Sequence, residues 1–244
     1  MRILLGLWVA LLGLTGSLFA STPAFAADDP LYGAPEVGQC YDSTGATAGK
    51  PANPDDTVSC AQDHTLWILA VHKLPADVSL DPEDGELTKY FYSVCHPATK
   101  DAVGHYGDPA YAKSAYRAYF FVPTQAQQDQ GARWISCELG IARGGRKLTT
   151  TDKRRPAKVK ASMPDSLTLC ANSKYTATAC SNKHAYRVTY ARVLTKRYTV
   201  SRARNKAQKI CPSKVSTPNN WMWYVHSGVK RSQFVLSCLT HTAK

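Results

Sequence analysis

In 244 residues the chain carries 30 Lys and Arg against 18 Asp and Glu, a formal net charge of +12. No stretch after residue 26 is apolar enough to span a bilayer as a helix, which excludes a polytopic helical membrane protein. There is no Gly-x-Ser-x-Gly elbow, so the α/β-hydrolase arrangement is excluded as well.

The chain opens Met1-Arg2, runs almost without polar residues from Ile3 to Ala20, and reaches Ala24-Phe25-Ala26, a small-x-small cleavage pattern. Residues 1–26 therefore read as a signal peptide, with an uncleaved membrane anchor as the alternative. All eight cysteines follow it: Cys40, Cys60, Cys95, Cys137, Cys170, Cys180, Cys211 and Cys238. An even count in an exported chain reads as disulfides, of which eight cysteines allow 105 connectivities.

From residue 27 to 141 the order is Cys40, then the pair Cys60/His64, then the run Leu66-Trp67-Ile68-Leu69-Ala70-Val71. That run is apolar on both faces and reads as a more central strand than its equivalent from Ala185. The acidic turn "DPEDGE" (81–86) precedes a helix with Leu87, Tyr90, Phe91, Val94 and Cys95 on one face, expected to end near Pro97. Acids ahead of a helix stabilise its N-terminus through the dipole, and the spacing is not that of an EF-hand. Strands "YFFVP" (119–123) and "RWISC" (133–137) follow. Residues 142–164 are polar, basic and punctuated by Gly and Pro, and read as a linker.

Residues 165–244 repeat that order: Cys170, Cys180/His184, a strand from Ala185, a helix, "MWYVH" (222–226) and "QFVLSC" (233–238). In the strand, Tyr186, Val188 and Tyr190 alternate with Arg187, Thr189 and Ala191, so the first three are expected on one buried face. In the helix, Val200, Ala203, Ala207, Ile210 and Cys211 share a face, with Arg202, Lys206 and Lys209 opposite. The expected fold is α+β: two tandem repeats, each a small antiparallel sheet plus a helix, stapled by two disulfides. Duplication favours bridges inside each repeat, and the expected pairing is Cys40–Cys60 and Cys95–Cys137, with Cys170–Cys180 and Cys211–Cys238. Modules of about 100 residues bury modest cores, and each bridge contributes about 2–4 kcal/mol.

"VGQCYDS" (37–43), "VSCAQDH" (58–64), the helical Cys95 and "YFFVPT…GARWISC" (119–137) resemble the septum-formation domain of exported actinobacterial proteins. The likeness covers roughly residues 36–140. The second repeat is a degenerate copy: it lacks the Val-Gly start, shortens the Cys170-to-Cys180 loop, and has His226 in place of Pro123. The resemblance implies an extracytoplasmic protein linked to division or the envelope, and brings no catalytic residues.

Charge divides the chain. Residues 27–150 hold 10 Lys and Arg against 16 Asp and Glu, a net of −6. Residues 151–244 hold 19 against Asp152 and Asp165 alone, a net of +17. Such a field steers anionic partners. The expected partners are an anionic wall polymer, a membrane surface or an acidic protein. The expected polyanion-binding residues are Arg187, Arg192, Lys196, Arg197, Arg202, Lys206 and Lys209. Aromatics interleave with these bases, but Tyr186 and Tyr190 belong to the buried face, so nucleic acid is disfavoured.

Chemistry is poorly served. Cys-x-x-x-His could ligate zinc, but paired cysteines offer no thiolate, and His64 and His184 read as structural. The second repeat lacks the two carboxylates that glycan hydrolysis needs. The expected function is a non-enzymatic, secreted or wall-associated protein that binds through its basic repeat, without cofactor or metal. The alternative is a wall-modifying enzyme around Asp63, His64 and Glu83, and a third reading is a cationic effector acting on membranes.

Overall fold

The computed structural model describes residues 29–81, 83–145, 147–195, 197–227 and 233–242. The predicted signal peptide and Lys196 lie outside them. Two five-stranded antiparallel sheets follow one another along the chain. The first contains β1 (Cys40–Tyr41), β2 (Thr57–Val58), β3 (Leu66–Lys73), β4 (Tyr116–Phe121) and β5 (Trp134–Ile141), in the order β2-β1-β3-β5-β4. Its helices are α1 (Gly85–Val103), α2 (Pro109–Ala112) and α3 (Gln125–Gln128). The second sheet contains β6 (Leu169–Ala171), β7 (Ala177–Ala179), β8 (Tyr186–Leu194), β9 (Trp221–Ser227) and β10 (Phe234–His241), with α4 (Val200–Ile210) inserted between β8 and β9. Its order, β7-β6-β8-β10-β9, matches that of the first sheet strand for strand. The α+β expectation therefore holds. None of the described helices is long and apolar enough to cross a membrane.

Each sheet carries two disulfides, and the pairing is the expected one. Cys40–Cys60 and Cys170–Cys180 close the loops at the sheet's narrow end. Cys95–Cys137 and Cys211–Cys238 tie a helix to the most buried strand, with Cα atoms 5.3 Å apart in both. β5 is buried along its whole length, and β10 along all but its last residue. The apolar run in β3 does not make it more central than β8, because both are third of five.

A bulge sits opposite each of these strand cysteines. Leu69 is left over between the pairs Ile68–Glu138 and Ala70–Cys137, and Thr189 between Val188–Leu239 and Tyr190–Cys238. An extra residue switches the face of everything after it. Tyr186 and Val188 therefore pack with Leu239, whereas Tyr190 joins Leu194 and Cys238 on the helix side. The single buried face expected for Tyr186, Val188 and Tyr190 is in fact divided.

Helix α1 begins where the acidic turn predicts: Asp84 caps it by accepting from the Glu86 N–H at 2.9 Å. It does not end at Pro97 but continues to Val103. Proline removes one backbone hydrogen bond at Ser93. The buried face of Leu87, Phe91, Cys95, Thr99 and Val103 is unbroken across that point, and the bridge to β5 holds it down. In α4 only Ala203 and Ala207 are buried; Val200 is 56 % exposed, so the apolar face is narrower than the sequence suggests.

The basic segment predicted to link the halves is laid along the first sheet as a strap. Thr151 and His64 exchange backbone hydrogen bonds at 2.8 and 3.0 Å. The Trp67 indole N–H donates to the Lys153 carbonyl at 2.7 Å. The Tyr116 hydroxyl donates to the Ala157 carbonyl at 3.1 Å and accepts from its N–H at 3.0 Å. Further on, the Val159 N–H reaches the Val103 carbonyl at 2.7 Å. The second sheet is locked on as well. The Ala115 N–H donates to Leu167, Leu169 to Lys113 and Ala179 to Ala142, each at 2.8 Å. Helix α2 packs against β8 and β10, where the Ser237 hydroxyl donates to the Ala112 carbonyl.

Leu148, at the head of the strap, fits over Gly140 of β5. A Cβ on that glycine would stand 2.9 Å from Leu66 Cδ2, 3.1 Å from Leu148 Cδ2 and 3.2 Å from the Thr65 carbonyl. Gly140→Ala should therefore lower stability by about 1–3 kcal/mol, the usual cost of overpacking, read as a fall in thermal midpoint.

Candidate functional site

Helix α4 gathers the basic surface. Thr199 caps it by accepting from the Arg202 N–H at 3.2 Å, and its first turn has no acidic residue. The positive end of the helix dipole and Arg202 thus reinforce one another with no counter-charge on the helix. Arg202, Lys206 and Lys209 succeed one another along the outer face. With Thr199, Ser201 and Asn205 they line a shallow cleft of about 340 Å³. Among the described residues none of these three cations is ion-paired.

The other expected binding residues lie apart from that cleft. Arg187 holds Asp165 through Nη2 at 2.7 Å, so one of the second half's two acids already faces it. Arg192 is exposed on β8, paired across the ladder with Leu236. Arg197, exposed before α4, offers its carbonyl to the Arg202 guanidinium. Tyr190, expected on a buried face, is half-buried and lies under the Lys214 ammonium, 5.3 Å from the ring centre.

The two histidines have matching surroundings. His64 is fully buried and its Nδ1–H donates to the Gln62 carbonyl at 2.8 Å. His184, 5 % exposed, does the same to the Asn182 carbonyl at 2.8 Å. Each ring pins the loop that carries its disulfide. Asp63 and Glu83 are both exposed; Glu83 belongs to the turn before α1, and no hydrogen bond joins either to His64 among the described residues. No group of three metal-ligating side chains occurs among the described residues. A Ser-x-x-Lys spacing runs from Ser227 to Lys230, and residues 228–232 lie outside the described residues.

On the first sheet a cleft of about 590 Å³ carries acids: Glu36, Asp55 and Asp56 stand around Gln39, Tyr41 and Trp134. Behind Tyr41 sits Glu138, which sequence reasoning missed. It is 1 % exposed, and neither carboxyl oxygen has a hydrogen-bond partner among the described residues. Burial holds its pKa well above the ordinary carboxylate range. The Ser136 hydroxyl beside it offsets this only in part and completes no hydrogen bond. Burial, then the charge of Glu138, raises the Tyr41 hydroxyl in turn. At the meeting of the two edge strands, burial pushes His226 down to about 3, with the Arg117 guanidinium adding to it. The residue as a whole keeps some exposure, but its Nε2 is sealed from solvent.

No curated protein and no solved structure matches the chain. The sequence profile of a family described as septum formation matches residues 81–220, more than half of it. The resemblance drawn from the cysteine motifs covered residues 36–140; the matched stretch instead starts just before α1, takes in the strap and ends just before β9. The strap, β6 to β8 and α4 are thus inside the family pattern, and the chain belongs to the septum formation family.

Proposed function

We propose that this protein is an extracytoplasmic, non-enzymatic envelope component that binds an anionic wall polymer through the α4 surface. Membership of the septum formation family associates it with division and the envelope, and four disulfides suit an oxidising compartment. The observation that carries the reading is the α4 cleft, where three cations without an ion pair among the described residues are presented on one helix face. The remaining charge of residues 151–244 supplies long-range attraction, and the acidic cleft of the first sheet is left to meet a protein partner. The common strand order and corresponding bridges support an internal duplication, after which the two halves diverged in charge.

The test is co-sedimentation of the disulfide-intact chain with purified cell walls at rising salt. Each Lys or Arg near an anionic surface contributes about 1 kcal/mol, so replacing Arg202, Lys206 and Lys209 together with Gln should weaken binding roughly a hundredfold. A triple variant that pellets like the original, or an original that never pellets, would overturn the proposal.

A further inference from the structure

We propose that the strap and the clefts beside it form a second site, separate from α4, that takes a phosphorylated sugar. Trp67 and Tyr116 stand edge to face, with ring centres 6.2 Å apart, under the strap. Their polar ends are fully engaged by strap backbone at Lys153 and Ala157. The segment between these two anchors is therefore an arch of fixed shape. Arg154 and Arg155 project from it, exposed, and make no hydrogen bond or ion pair among the described residues. A built arch that leaves two guanidinium groups free is ready for an anion.

The two clefts supply the rest of the recognition. One, of about 330 Å³, opens between the strap and the start of the second sheet. Trp67, Tyr116 and Ile141 close its inner end and are almost wholly buried, Pro164 and Leu167 give it an accessible apolar floor, Thr150 and Ser166 line it with hydroxyls, and Arg155 stands at its edge. The other, of about 380 Å³, lies on the opposite side of the strap and shares Trp67 and Arg155 with the first. Both sizes fall at the lower end of the range of small-ligand pockets, about 300–1,000 Å³. An apolar floor suits the C–H face of a sugar ring, and threonine and serine hydroxyls suit its hydroxyls. A guanidinium fork suits phosphate, which it grips through two parallel hydrogen bonds. Apolar lining and hydroxyls beside Arg155 favour phosphate attached to a sugar ring over phosphate alone.

The site does not depend on the α4 reading, and one experiment separates them. The Trp67 indole N–H is followed by NMR in the disulfide-intact chain during titration with N-acetylglucosamine 1-phosphate, N-acetylglucosamine, inorganic phosphate and a short glycerol-phosphate oligomer. The sugar phosphate should give a saturable shift. Arg155→Gln, on an exposed side chain that the fold does not need, should weaken that response about tenfold, as expected for loss of a charge-assisted hydrogen bond. The triple α4 variant should leave it unchanged. The monoester should bind more tightly than the glycerol-phosphate oligomer, which carries no sugar ring, and more tightly than N-acetylglucosamine, which carries no phosphate; an equal or tighter response to either of these overturns the proposal. The proposal is overturned if inorganic phosphate alone reproduces the shift, if Arg155→Gln does not weaken it, or if no ligand saturates.

Discussion

Glu138→Leu should raise the thermal midpoint at pH 7 and should do so much less at pH 4. The carboxyl is sealed between β3 and β4, beside Tyr41, Ile68 and Phe121, and has no hydrogen-bond partner among the described residues. Its native pKa is raised by burial above the unfolded value. A carboxyl raised in this way contributes stability in full below the unfolded pKa, about 4.3. That contribution is lost as pH rises towards the native value, because the unfolded chain releases a proton that the folded one keeps. Removing the group therefore stabilises most where the loss is greatest, at neutral pH. Burying an unsatisfied polar group costs about 1–3 kcal/mol, which for a chain of this size is a few degrees per kcal/mol. The second sheet shows that leucine fits: Leu239 follows Cys238 as Glu138 follows Cys137, and it is fully buried. Equal gains at both pH values would mean that Glu138 is charged in the fold, and the assignment of a neutral buried acid would fail.

Removing the Cys95–Cys137 bridge should cost more than removing any loop-end bridge. The chain-entropy relation gives about 4 kcal/mol for a closed loop of 42 residues and about 2.7 kcal/mol for one of 10, the span of Cys170–Cys180. The packing argument has the same sign, since Cys95 and Cys137 are both 1 % exposed and join α1 to the most buried strand. Thermal unfolding of the double alanine variants C95A/C137A and C170A/C180A compares the two directly. If the second loses as much as the first, the bridges act through native contacts and not through the length of chain they constrain.

Much of this architecture was legible in the residues. Cysteine order and strand–helix–strand periodicity led to the α+β class, the four bridges and the family. What stayed hidden has specific causes. Pro97 is a helix breaker by local chemistry, and only the burial of Phe91, Cys95, Thr99 and Val103 against the sheet overrides it. The bulges at Leu69 and Thr189 leave no residue signature, so the face switch after them was unreadable. Glu138 sits in "SCELG", where an isolated acid in a strand reads as its solvent face, yet both faces of β5 are covered. The strap was read as a linker because its composition is that of one, and its attachment depends on Trp67 and Tyr116, 86 and 41 residues away in sequence. Of the seven predicted binding residues, Arg202, Lys206 and Lys209 come together in one cleft. Arg187, Arg192 and Arg197 do not, because strand direction and the loop before α4 set their positions.

The cysteines are bonded in consecutive pairs along the chain: 40 with 60, 95 with 137, 170 with 180, 211 with 238. In a polypeptide threading out of a membrane N-terminus first, each thiol would find its native partner as the next to emerge. An oxidase working in order of arrival would then produce the correct bridges with nothing left to reshuffle. Such a chain can be locked while it is still being delivered, and its fidelity depends on the rate of oxidation relative to emergence and not on an isomerase.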